Sequence, residues 1–245
     1  MRASKLIICI LFLGASPLLK SQKGFEFGPS FQLQNTWLLN KTDNDQGGSL
    51  DFQGTYNISY GVQMGYGFHA RHGIRVGAFV SQQGQNYITS EEFLRLPSAK
   101  YYTKTEYLQI PVLYRYNGRL DIANSSFLLT AGPQFGFLQS ARSKVLFADS
   151  LMNLVEVSPE LNSMNAFQSM DVSAHLGLGI LARFSPKFHM NATLNINYSL
   201  QGIEKENFDL ILRKGTRNAI VGVNIGFYIL LGGPEMAITG PPKMK

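Results

Sequence analysis

The chain has 245 residues, a formal net charge of +6, 24 Gly, 17 Phe, 11 Tyr and a single Cys. Charged residues make up 16%, well below the roughly 25% of an ordinary soluble domain. After the amino-terminal segment, no stretch approaches the ~18 consecutive apolar residues that indicate a transmembrane helix. These features exclude a polytopic helical membrane protein and argue against a charge-coated cytosolic enzyme. The length suits one all-β domain.

Residues 1–22 have the pattern of a secretory signal peptide. Arg2 and Lys5 precede an apolar stretch that is too short to span a bilayer. Cys9 lies in that stretch, so we expect the mature chain to contain no disulfide. Removal of the segment takes away its three basic residues and lowers the net charge from +6 to +3. We therefore predict no nucleic acid partner.

Eight later segments alternate apolar and polar residues with a period of two, which places successive side chains on opposite faces of a strand. They begin near Gly24, Tyr56, Ile74, Leu108, Phe127, Val172, Phe188 and Ala219. Most are ten residues or longer, which matches the ~9–11 residues of a tilted transmembrane strand. Their polar rows hold mainly Asn, Ser, Gln, Thr and Gly, which suit a crowded lumen. We predict an all-β protein: an eight-stranded antiparallel transmembrane β-barrel, an up-and-down meander, over residues 23–231.

A soluble eight-stranded barrel of the lipocalin kind would also alternate, but its polar row would meet water and carry many Lys and Glu. The distribution of aromatic residues favours the membrane barrel, because they gather at segment ends as at two lipid–water boundaries. The predicted girdles comprise Trp37, Phe135 and Phe137 at one level and Tyr66, Phe68, Tyr114, Tyr116, Phe184 and Phe188 at the other.

The connections between segments alternate between long and short. Outer-membrane barrels have short periplasmic turns and long extracellular loops. With eight strands, this alternation places both termini in the periplasm. Residues 232–245 contain Gly-Pro and Gly-Pro-Pro runs that cannot extend a strand, and we predict a periplasmic tail there.

The polar rows predict a cluster of charges inside one end of the barrel. Its members are expected near the periplasmic ends of their strands: Glu26, Arg75, Arg115, Arg183 and His189. Unpaired charges in a narrow lumen are costly, so Glu26 should pair with one or more of the arginines. The predicted interior is plugged.

No residue pattern indicates catalysis, a cofactor or a bound metal. His69 and His72 flank a tight turn without a carboxylate or cysteine nearby, and a headgroup-level turn is the plainer interpretation. Near the outer rim, the only residues that resemble an acyl-transfer set are Asp171, Ser173 and His175. A lipid-A-modifying enzyme, a narrow pore and a receptor for a small ligand at the outer mouth remain alternatives.

The connection over residues 141–169 is unusually apolar for an exposed loop. Either it folds over the mouth and buries these side chains, or it docks on a partner protein. The candidate docking surface comprises five residues of this connection: Phe147, Leu151, Met152, Leu154 and Val155.

Several segments resemble one family. Residues 106–116 (EYLQIPVLYRY), residues 131–136 (AGPQFG) and the GLG of residues 177–179 after Asp171 are similar to strands of the PorT-like outer-membrane β-barrel proteins of the Bacteroidetes. Residues 197–203 and the closing segment over residues 218–231 extend the likeness over most of the chain. The resemblance implies a non-enzymatic structural or accessory protein with a role in type IX secretion and gliding. Its expected partners are outer-membrane lipids and other secretion or envelope proteins.

Overall fold

The computed structural model describes residues 24–40, 50–69, 71–89, 99–120, 122, 124–148, 154–156, 161–185, 187–205 and 215–231. The predicted signal peptide and carboxy-terminal tail lie outside these residues. Within the described residues, no helix is both long and apolar enough to cross a membrane.

The segments in which apolar and polar residues alternate form eight long strands. Their bounds are β1 Phe25–Leu39, β3 Tyr56–Gly67, β4 His72–Thr89, β5 Ala99–Arg119, β6 Ser125–Ala148, β9 Met170–Ser185, β10 Phe188–Ser199 and β11 Arg217–Leu231. Each pairs antiparallel with the next, and β11 pairs with β1. The sheet therefore closes on itself, and the predicted eight-stranded antiparallel barrel is confirmed.

Three short strands extend the sheet beyond the barrel. The strand β2 (Leu50–Gln53) pairs with the end of β4, while β7 (Leu154–Glu156) and β8 (Leu161–Asn162) pair with the end of β6. The barrel end that contains these strands is called the loop end, and the end with Phe25 and Leu231 is called the terminal end. The wall of the barrel therefore extends further at the loop end than at the terminal end.

The predicted loop over residues 141–169 is wrong in its first part, because β6 continues to Ala148. A register shift explains the difference. Glu106 pairs with Ser140 and Tyr107 with Leu138, which leaves Gln139 as an extra residue in β6. This bulge interrupts the alternation on which the sequence prediction depended.

The burial pattern is the reverse of a soluble core. Outward side chains are apolar and exposed, with Leu33 at 72% and Val223 at 52%. Inward side chains are polar and buried, including Ser30, Asn191 and Asn224. Such an exposed apolar band around a polar interior is the arrangement that hydrocarbon stabilises.

Hydrogen bonds between strands fill the polar interior. Ser30 and Asn224 exchange bonds of 3.0 and 2.8 Å across β1 and β11. The amide of Asn195 donates to Gln32 Oε1 over 2.7 Å. These bonds replace the water that would otherwise satisfy the buried amides and hydroxyls.

Candidate functional site: a lumen packed with side chains

Four of the five predicted cluster residues meet inside the terminal end. Arg75 donates from Nε and Nη2 to Glu26 Oε1 over 3.0 and 2.7 Å. Arg115 forms an ion pair with the other carboxylate oxygen, and His189 Nε2 lies 3.0 Å from that same oxygen. The side chains of Glu26, Arg75, Arg115 and His189 are all buried. We call these four residues and Tyr228 the terminal charge cluster.

The strand register explains why these side chains converge. Glu26 of β1 lies opposite Gly65 of β3, and Gly65 lies opposite Arg75 of β4. Arg115 of β5 lies opposite Gly73 of β4. The glycines leave the space that the charged side chains occupy, since a Cβ atom at Gly65 would lie 2.5 Å from Glu26 Oε1.

Arg183 lies beside the cluster and has a different partner. Its Nη1 donates to Ser126 Oγ over 2.9 Å, and among the described residues no ion pair joins it to Glu26. Arg183 is opposite His189 in the β9–β10 register, so it reaches the same level of the wall. The alternation of inward and outward residues along β9 predicts that Arg183 faces the lumen. It does not predict which carboxylate Arg183 reaches.

Sequence reasoning missed Tyr228, the aromatic member of the cluster. Its ring lies beneath the guanidinium of Arg75, with Cζ 4.5 Å from the ring centroid, and stacks on His189 at 5.3 Å. Its hydroxyl donates to Gln63. Tyr228 belongs to the inward row of β11, so the alternation along that strand could have identified it as a lumen residue. The ring completes the cluster, because the cation–π contact stabilises a desolvated arginine.

The middle of the lumen contains very little free space. A cavity of about 20 Å³ lies among inward polar residues that include Gln32, Gln63 and His175. That volume is large enough for about one or two water molecules. Packing of side chains therefore already fills the centre of the barrel.

A cluster of apolar side chains lies at the loop end, and we call it the apolar plug. Leu38, Ala141, Phe167 and Ile203 are buried together, with Leu138 and Ala166 packed against them. Backbone bonds hold the covering segment in place, with Ser163 N donating to Ala141 O over 2.9 Å and Gln168 N to Ile203 O over 2.7 Å. Part of the apolar connection thus folds over the mouth, although Leu161 and Met164 remain exposed.

The predicted docking residues are described only in part. Phe147 pairs with Val155, and Leu154 pairs with Ala148, through the backbones of β6 and β7. Leu151 and Met152 lie outside the described residues. The docking surface therefore stays a prediction.

The residues weighed for catalysis have other partners. His175 Nδ1 lies 2.7 Å from Asn197 Oδ1, and Nε2 lies 3.3 Å from Thr130 Oγ1. Ser199 donates to Asp171 Oδ2 over 2.8 Å, while Ser173 Oγ donates to Gln134 O over 3.3 Å. Asp171, Ser173 and His175 do not form a hydrogen-bonded relay in the described part of the chain. His69 and His72 lie in a turn with ring centroids 5.4 Å apart.

Aromatic side chains occupy the outward face towards the strand ends. At the terminal end, Phe184 packs on Phe188, and Phe188 stacks on Phe227. His72 contacts Tyr114, Tyr116 and Phe68 at the same end. Phe137 is 38% exposed in the outer half of the wall, where β6 pairs with the start of β9.

The sequence matches the outer membrane protein beta-barrel domain family over residues 16–204. Together with the closed barrel, this match identifies the class: the protein is a bacterial outer-membrane β-barrel. The chain belongs to that family.

Solved structures with a similar fold have little sequence in common with the chain. Neisserial surface protein A is 11% identical, with 82% of this chain and 95% of that chain covered and a TM-score of 0.41. OprG from Pseudomonas aeruginosa is 12% identical, with 87% and 98% covered and a TM-score of 0.41. The outer membrane protease OmpT from Escherichia coli is 10% identical, with 85% and 96% covered and a TM-score of 0.41. No curated protein matches the sequence.

Proposed function

We propose that the protein is a non-enzymatic structural or accessory component of the outer membrane, PorT-like, that acts in type IX secretion. The observation that carries the proposal is the packing of side chains along the described part of the lumen. The terminal charge cluster fills one end, and the apolar plug around Phe167 lies at the other. A barrel packed in this way presents its ends and its wall to other molecules and offers no bulk passage.

The proposed orientation places the loop end outside the cell and both termini in the periplasm. Two connections at the terminal end are tight: His69 and His72 exchange backbone bonds of 3.1 and 3.2 Å, and Phe188 follows Ser185 after two residues. The loop end carries the longer connections and the added strands β2, β7 and β8. Short periplasmic turns and long outer loops are the bacterial pattern.

The contacts of the polar residues support a role without catalysis. Acyl transfer requires a nucleophile beside a base. His175 Nε2 lies 3.3 Å from the Thr130 hydroxyl, but both side chains are buried inside the lumen, away from substrate, and Nδ1 contacts the Asn197 amide oxygen where a triad would have a carboxylate. The type IX assignment is supported by the sequence resemblance of five strand segments and is the finer part of the proposal.

Three measurements on a deletion strain and on the purified protein test the proposal. We expect loss of type IX cargo from the culture medium, unchanged lipid A by mass spectrometry, and no conductance steps in planar bilayers. Normal secretion by the deletion strain would contradict the secretion role. Defined conductance steps would contradict the packed lumen, and altered lipid A would contradict the absence of catalysis.

A further inference from the structure

The bulge at Gln139 changes which face of β6 carries charge. Below the bulge, Phe135 and Phe137 point outward. Above it, Ala141 points inward with 1% of its surface exposed, and Arg142 is exposed on the outside. One extra residue therefore both supplies Ala141 to the apolar plug and brings a basic row to the outer face.

The basic row forms a groove with the neighbouring strand. Tyr102 lies opposite Lys144, and Lys104 lies opposite Arg142, in the β5–β6 register. These four residues and Leu146 line a cavity of about 210 Å³, and we call them the outer basic groove. Three cations, a phenol and one apolar side chain thus surround a single concave surface.

The charge of the groove comes from the residues that line it, and a described carboxylate lies at its border. Glu106 is opposite Ser140 and two residues from Lys104 on the same row of β5. Within the groove itself, every ionisable group other than Tyr102 is basic.

The groove lies just beyond the apolar band. Lys104 is four residues beyond the outward Leu108 on β5, or about 13 Å along the strand at ~3.3 Å per residue. With a tilt of about 35–45°, this rise corresponds to about 10 Å in height. The groove is therefore at the level where lipid headgroups begin.

We propose that the outer basic groove binds the phosphate groups of a phosphorylated glycolipid, such as lipid A, in the outer leaflet. This inference rests on the proposed orientation, with the loop end outside. Arginine binds phosphate through two parallel N–H donors, and lysine adds a point charge. The Tyr102 hydroxyl supplies a further donor, and Leu146 supplies an apolar contact for the body of the lipid.

The binding test uses purified full-length protein in a zwitterionic detergent, with diphosphoryl lipid A as the probe. We expect Lys104→Gln, Arg142→Gln and Lys144→Gln together to weaken binding about tenfold or more, because charge-assisted bonds are the strong contacts to phosphate. The control combines Arg71→Gln, Lys187→Gln and Lys205→Gln, which removes the same charge from exposed sites outside the groove. Retention of the folded gel mobility shows that each variant is intact.

Each part of the binding test has an outcome that would contradict the proposal. Equal binding by the wild type and the groove variant, or an equal loss in the control, would overturn the proposal. Equal binding of lipid A stripped of its phosphates would do the same. Displacement of lipid A by 10 mM inorganic phosphate would show a general anion site instead of a lipid site.

Orientation is tested separately from binding and from secretion. Lys104→Cys gives the mature chain one cysteine, since Cys9 lies in the predicted signal peptide. We expect an impermeant maleimide to label this variant on intact cells. Failure to label, with labelling after lysis, would overturn the outer location of the groove even if the purified protein binds lipid A.

Discussion

Glu26 accepts contacts from two guanidinium groups and lies within ion-pair distance of an imidazole, so its replacement leaves buried cations without an anion. Breaking a buried ion pair by removing one partner costs about 3–5 kcal/mol. We predict that Glu26→Gln lowers the free energy of unfolding by about that amount in urea titrations followed by gel mobility.

Glu106→Gln is the matched control, because Glu106 is only half buried and lies on the outer part of β5. We expect a change below about 1 kcal/mol for this variant, as for exposed ion pairs. An equal shift in both variants would mean that the terminal charge cluster adds nothing specific to stability.

Gly65 provides a second test of the cluster, this time without removing a charge. Its added Cβ would meet the carboxylate of Glu26, whereas a Cβ at Gly54 would have its nearest neighbour at 3.4 Å. We predict that Gly65→Ala destabilises the barrel by about 1–3 kcal/mol, as overpacking does. Gly54→Ala should leave the urea midpoint nearly unchanged, and similar midpoints for the two variants would contradict the close approach.

Parity along each strand was enough to place Glu26 and its arginines in the lumen from the sequence. It was not enough to separate Arg75 from Arg183, because the reach between non-adjacent strands depends on the stagger of the closed barrel. Tyr228 was missed for a related reason. The sequence alone does not show whether an inward-facing tyrosine makes a cation–π contact or only packs against its neighbours.

At the scale of the strand, the outward rows should respond to charge according to depth. Val223 lies near the middle of β11 and is 52% exposed, while Leu231 ends the strand and is 49% exposed. We predict that Val223→Arg costs about 2–4 kcal/mol in a lipid bilayer and that Leu231→Arg costs about 0–1 kcal/mol. Urea unfolding from vesicles measures both, and equal costs would contradict the placement of Val223 in hydrocarbon.

The eight strands were predictable because their alternation is long and regular. The extension of β6 was not, since the bulge at Gln139 shifts its alternation by one residue. The extension of β5 was not either, since residues 99–106 do not alternate between apolar and polar side chains. Short strands such as β8, with only Leu161 and Asn162, carry no period at all. Their pairing comes from the neighbouring β6, which a local pattern does not contain.

At the scale of the whole molecule, closure between β1 and β11 is the feature that defines the barrel. Phe27 and Ile229 are register partners across that seam, and both are exposed on the outside. Opposed residues in an antiparallel pair lie about 4.5–5.5 Å apart, within the range for a disulfide. We predict that Phe27→Cys with Ile229→Cys forms an intramolecular disulfide on oxidation, visible as a faster band on a non-reducing gel.

The control pairs Phe27→Cys with Val221→Cys. Val221 is on the same row of β11 but lies opposite Asn35, eight residues further along β1. We expect no faster band from this variant. A band of equal intensity would show that the seam is open or shifted in register.

The same seam determines when the lumen loses its water. Glu26, Arg75 and Arg115 lie on β1, β4 and β5, whereas His189 and Tyr228 arrive with the last two strands. In a half-inserted chain these three charges remain hydrated and attract one another weakly. Once the final strand docks, they are dry, and separating them becomes expensive. The pairs of Glu26 with the two arginines lie on one side of the seam, so the contacts in the cluster that oppose reopening are those of His189 with Glu26 and of Tyr228 with Arg75.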